Sequence, residues 1–252
     1  VETAVNAAYQ GLTAGTFALM QANTFWARFW PALAGASLAL VPLFWRRRLS
    51  PFLTLGLALA LALDPVLFIL SRQAGSVIFV LAGLVWALSF FIAGKPVGVG
   101  VALAVALLGG PWAWAVLLLL LIALGIAYFI NKAALKEFAS SLLNICPLRK
   151  SPAKFALSFV LTLLLLSTSF GLDPAGISGI AGGLSAFLQE GFSTSQFPAW
   201  TPIYRWAAYS MCPIILSVIA TVHAWMDGAK AKRALSLLTM VLLLGAVLFA
   251  NL

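Results

Sequence analysis

Apolar residues fall into long charge-free runs separated by short polar turns, at 29–45, 76–94, 112–130, 155–172, 206–222 and 234–252, besides 51–71, which holds one charge, Asp64. Each run is close to the roughly 20 helical residues that cross a bilayer core of about 30 Å. A membrane β-barrel would alternate polar and apolar positions, and Ala115 to Ile122 does not alternate. A further stretch, 96–131, holds no charge over 36 positions, or about 54 Å of helix, which is too long for one crossing. Gly109-Gly110-Pro111 breaks it into a short glycine-rich span, 96–109, and the leucine-rich 112–130. The pattern predicts an all-α fold, a polytopic transmembrane helical bundle of about eight spans forming a single integral membrane domain over 1–252.

Composition agrees, with 63% hydrophobic and 8% charged residues and a mean hydropathy of +1.08. The net charge of +9 does not imply nucleic acid, because the basic residues sit in the turns between spans, where they set orientation. With Arg46-Arg47-Arg48 placed in the cytoplasm, twelve of the fifteen Lys and Arg lie inside (46–48, 95, 132, 136, 149, 150, 154, 230, 232 and 233). Arg28, Arg72 and Arg205 lie outside, and so do both termini. The first residue is Val1 rather than Met, which a cleaved secretory signal explains and which again puts the N-terminus outside. The localisation expected is a bacterial inner membrane, and the partners are the lipid bilayer and other membrane subunits.

Three segments outside the spans carry their own patterns. Residues 1–25 read as an amphipathic helix at the outer interface, with Val1, Val5, Tyr9 and Leu12 at helical spacing. Residues 131–146 read as a helix on the inner surface, with Leu135, Phe138, Leu142 and Ile145 on one stripe. The outer loop 173–205 opens with Asp173-Pro174, the form of a helix start. A short glycine-rich helix then follows, and Phe192, Phe197 and Trp200 return the chain through an aromatic interface. Leu135, Phe138, Leu142, Phe192, Phe197 and Trp200 are the candidate partner contacts.

Candidate chemistry is sparse. Asp64 is a carboxylate about two-thirds along the run 51–71, where an ionised group costs about 2.5–3.5 kcal/mol on insertion scales and needs a partner. It lies about 12 Å of helix from Arg72, so Arg28 and Arg205, which begin spans from the same side, are the expected counter-charges. Two readings follow: Asp64-Pro65 caps a broken half-helix, or it holds an ion or proton. Six acidic residues, one histidine and two cysteines (Cys146 and Cys212) supply no metal cluster, no cofactor site and no paired-carboxylate site.

Gly176-Ile177-Ser178-Gly179 resembles the G-x-S-G of the rhomboid intramembrane serine proteases, in which a serine is activated by a histidine of a later span. The resemblance implies a Ser178/His223 dyad. The family's His/Asn pair on an earlier span is missing, and the expected topology puts Ser178 at the outer face and His223 near the inner end of its span. Asp227-Gly228 resembles the opening of the CDP-alcohol phosphotransferase signature, but no acidic residue follows it to hold the metals. The expected function is therefore that of a non-enzymatic membrane subunit of a larger inner-membrane assembly, serving as scaffold or as part of a translocation path for transport, export or secretion. The alternative is a self-contained transporter or channel using Asp64, and a minor one is an intramembrane serine hydrolase.

Overall fold

The computed structural model describes residues 6–46, 50–130, 151–171 and 177–191. The expected inner-surface helix 131–146, most of the outer loop, the last two spans, and Leu135, Phe138, Leu142, Phe192, Phe197, Trp200, Arg205 and His223 lie outside the described residues. All regular structure among the described residues is helical. In chain order it comprises α1 (Ala7–Met20), α2 (Thr24–Leu38), α3 (Val41–Phe44), α4 (Pro51–Leu63), α5 (Pro65–Arg72), α6 (Val77–Ile92), α7 (Pro96–Leu107), α8 (Pro111–Ile130), α9 (Pro152–Ser167), a 3₁₀ turn at Ser169–Gly171 and α10 (Gly179–Gly191).

Proline sets most of these boundaries. Pro51, Pro65, Pro96, Pro111 and Pro152 each occupy the first helical position, where the missing N–H has no partner to lose and the fixed φ suits the helix. The residue before each is held away from the helical region, and at Asp64 this ends α4 directly ahead of α5. Between α7 and α8 the chain passes through Gly110 at φ 102°, a conformation open to glycine and strained for other residues. The break expected at Gly109-Gly110-Pro111 is thus a true change of direction, 114° between Pro96–Leu107 and Pro111–Ile122.

The chain divides into two compact units, residues 1–114 with 145–187, and residues 115–144 with 188–252. In the first, α7 is the central helix, packed against α6 on one side and α9 on the other. Small residues allow that. A Cβ at Gly83 would lie 2.7 Å from the Ala102 carbonyl oxygen and 2.8 Å from the Ala106 Cβ, and one at Gly100 would collide with the Ser158 hydroxyl and lie 2.7 Å from the Phe155 carbonyl. Backbones in such contact associate through dispersion, the route open where no water drives apolar faces together. A second cluster of Leu38, Val41, Ile78, Phe79 and Ala82 joins α2 and α3 to α6. Of the second unit, the described part is chiefly the leucine-rich Ala115–Ile130 portion of α8.

The expected first span, 29–45, is two helices. It starts earlier, because the Asn23 side chain accepts a 2.9 Å bond from the Trp26 amide and caps α2, and it breaks at Ala39–Leu40 ahead of Pro42. Inside α2, Pro31 is buried and has no N–H to give the Ala27 carbonyl four residues back. The Tyr9 hydroxyl of α1 donates to that carbonyl at 3.2 Å. Tyr9→Phe is therefore expected to cost about 1 kcal/mol in thermal unfolding, by stranding a part-buried acceptor. In a Pro31→Ala background, where residue 31 regains its N–H, the same change should cost nothing measurable. An equal loss in both backgrounds would show that Tyr9 acts through packing alone.

Among the described residues no single helix is long and apolar enough to cross a membrane, with α8 taken over Pro111–Ile122. Two bent pairs reach that length together, Pro51–Leu63 with Pro65–Arg72 and Pro96–Leu107 with Pro111–Ile122. The described residues are all-α; of the runs expected as continuous spans, 29–45 and 51–71 are each two shorter helices joined at a break.

Candidate functional site

The first bent pair turns at Asp64. It ends α4 in extended backbone, with φ −64° and ψ 120°, and begins α5 at a 50° angle. Its Oδ1 accepts the amides of both Val66 and Leu67 at 2.9 Å, the two donors that Pro65 leaves at the start of the new helix. The start of α5 also turns the positive end of its dipole toward Asp64. Arg72 occupies the last turn of α5, where the dipole favours a cation, and its guanidinium lies 4.3 Å from the centroid of the Phe68 ring. A carboxylate at one end and an arginine at the other thus bracket an eight-residue helix.

Arg28 lies on the exposed side of α2, and no ion pair joins it to Asp64 among the described residues. Arg205 is outside them. Ser178 is exposed just ahead of α10, while its proposed base His223 is not described. The glycine-rich helix expected after Asp173-Pro174 is present over Gly179–Gly191.

The buried polar residues among the described residues all carry hydroxyls, Thr13, Thr54, Ser76, Ser89, Ser158, Ser167 and Ser169, while the indole nitrogens of Trp45 and Trp114 are also buried. Five of the hydroxyls donate to a carbonyl of their own helix or its capping residue, as Thr13 does to Tyr9, Thr54 to Ser50, Ser89 to Val85, Ser158 to Phe155 and Ser167 to Leu164. Ser76 donates instead to Asn6 Oδ1 at 2.9 Å. Groups bonded in this way are satisfied locally and offer nothing to a permeating solute. No group of three or more His, Cys, Asp or Glu suited to a metal occurs among the described residues.

Sequence reasoning missed a junction of helix ends. The Ala8 amide, an orphan donor in the first turn of α1, bonds the carbonyl of Leu108, the residue that caps α7, at 2.9 Å. Beside it Gly11 faces the backbone of Leu166 in α9 so closely that a Cβ would overlap the carbonyl. The signal available was the spacing Ala7, Gly11, Gly15, a small-residue face on a segment otherwise read for its apolar stripe.

An aromatic cluster of Phe44, Trp86 and Phe90 has ring centroids 5.0–5.6 Å apart, with Lys95 Nζ 5.6 Å from the Phe44 centroid. The Trp86 indole donates to Ser37 at 2.9 Å. Comparison with protein-family models, curated proteins and solved structures gives no match for this chain.

Proposed function

We propose that the chain is a polytopic membrane protein of about eight spans with both termini outside, acting as a scaffold or path-forming subunit of a larger inner-membrane assembly. The observation that carries the membrane reading is α4. Its thirteen residues are apolar nearly all round and only Thr54 is buried, while Phe52 is 86% and Leu63 78% exposed. A helix apolar on every side has to be covered, by lipid or by another protein. The role within an assembly is supported by the hydroxyls bonded to their own helices and by an Asp64 engaged as a cap. An ion-coupled carrier instead turns several polar groups toward a midplane cavity.

The alternative of a self-contained transporter draws on the broken pairs α4–α5 and α7–α8, since discontinuous helices build many transport sites. Purification in mild detergent separates the two: a scaffold brings down stoichiometric partners, whereas a carrier purified alone supports flux in liposomes. The minor reading as a serine hydrolase predicts labelling of Ser178 by a fluorophosphonate that His223→Ala abolishes.

Orientation has its own test. Cysteine at Gln73 or Ser193 should react with an impermeant reagent added outside, and cysteine at Ser151 should not. Labelling at Ser151 from outside would invert the topology.

A further inference from the structure

A groove of about 540 Å³ opens between the end of α3 and the first two turns of α4, lined by Leu43, Arg46, Pro51, Thr54, Leu55 and Ala58. Its floor is apolar. The Thr54 hydroxyl is turned away into a 3.0 Å bond with the Ser50 carbonyl, so among the described residues that line the groove Arg46 is the one charged group. From Pro51 to Ala58 it follows α4 for about 10 Å.

Arg46 has no carboxylate in reach along the chain. No acidic residue occurs between Glu2 and Asp64, and Asp64 is engaged with the Val66 and Leu67 amides. Lys95, near the same end through Phe44, likewise faces a ring rather than an acid. Among the described residues no ion pair engages Arg46, and an apolar trough ending at a guanidinium is complementary to a molecule with an acyl chain and an anionic phosphate.

We propose that this groove binds one anionic phospholipid of the inner leaflet, its phosphate on Arg46 and one acyl chain along Leu43, Leu55 and Ala58. The proposal rests on the membrane reading above. An apolar peptide segment would fit the floor but leave the arginine without a counter-charge, and a zwitterionic lipid would bring its own cation to a positive site.

The test is native mass spectrometry with thermal unfolding of the full chain in mild detergent, titrated with phosphatidylglycerol or with phosphatidylcholine. Phosphatidylglycerol should bind saturably and raise the unfolding temperature more than phosphatidylcholine does. Arg46→Gln should weaken phosphatidylglycerol about fivefold, the ratio that one basic group near an anionic headgroup supports, and leave phosphatidylcholine unchanged. Arg46→Lys should retain most of the preference, and Ala58→Trp, which fills the trough from a lipid-facing position, should reduce phosphatidylglycerol binding with Arg46 intact. Inorganic phosphate at millimolar concentration should not compete, since it lacks the chain. Equal affinity for the two lipids, or Arg46→Gln binding phosphatidylglycerol like the wild type, overturns the site. Failure of the membrane reading is a separate outcome: the chain would then leave the membrane fraction in an alkaline wash without detergent, whichever lipids it bound afterwards.

Discussion

Gly100→Leu is expected to separate the helices around α7 and to lower stability by about 3 kcal/mol or more, the upper range for forcing a side chain into a filled interface. Position 100 faces the turn of α9 from Phe155 to Phe159. The first side-chain carbon alone would meet the Ser158 hydroxyl, the Phe155 carbonyl at 2.7 Å and the Phe159 amide nitrogen at 3.0 Å. Two of those three are main-chain atoms and cannot rotate aside. Ser158 is itself bonded to the Phe155 carbonyl at 2.9 Å, so displacing it releases a buried hydroxyl as well. Gly56 is the control, since a Cβ there meets nothing within 4 Å, and Gly56→Leu should be neutral or slightly stabilising because glycine is a poor helix former. The measurement is the thermal midpoint in detergent, with size-exclusion profiles to detect aggregation. Similar midpoints for the two variants would mean that α7 and α9 are not in contact at Gly100.

Asp64→Leu carries the second large effect, with about 2–4 kcal/mol expected from loss of the cap and from two amides left without an acceptor in apolar surroundings. Asp64→Asn should cost less than about 1 kcal/mol. Both bonds converge on one oxygen, Oδ1, and the asparagine amide keeps an oxygen there while giving up only the charge–dipole attraction. Thermal unfolding of both variants reads this difference directly. In the carrier reading, Asp64→Asn is stable yet inactive in a flux assay; in the capping reading it is stable and assembles with its partners as the wild type does. Equal destabilisation by Asn and Leu would show that the charge itself holds the break together.

How much of this could be read from sequence depended on whether the signal was local. The proline-led starts of α4, α5 and α7 and the break ahead of α8 were visible, because Pro fixes its own φ and restricts the preceding residue whatever the surroundings, whereas α9 begins at Pro152, ahead of the run expected from 155. Asp64-Pro65 likewise spelled out a capped break between two half-helices. The bonds that cross between helices were not visible. Tyr9 looked like one apolar residue of an interfacial stripe, and its bond to Ala27 depends on the carbonyl that Pro31 leaves open in another helix. Gly100 read as part of a short glycine-rich span, whereas it and Gly83 let α7 lie against two neighbours at backbone distance. For Asp64 the sequence pointed to Arg28 or Arg205 as a counter-charge or to a cap at the break; the structure shows the cap, formed by the amides two and three residues on. Leu135, Phe138, Leu142, Phe192, Phe197 and Trp200 fall outside the described residues, so the candidate partner surface remains a sequence reading.

The docking of α1 has a consequence for the order of assembly during synthesis. Its first-turn amide at Ala8 is bonded to Leu108, and its glycine face at Gly11 lies on Leu166. The partners of α1 are therefore made about 100 and about 155 residues after it. At roughly 5–20 residues per second, α1 exists for about 8–30 s before its last contact has been synthesised. Through that interval α2 can already engage it through Tyr9 and Thr16, whose hydroxyls meet Ala27 and Trp30, so the pair forms a hairpin early while the opposite, glycine-bearing side of α1 stays uncovered. Closure of the unit is then timed by the arrival of α9, and a truncation ending before residue 152 should leave an α1–α2 hairpin that is formed but undocked.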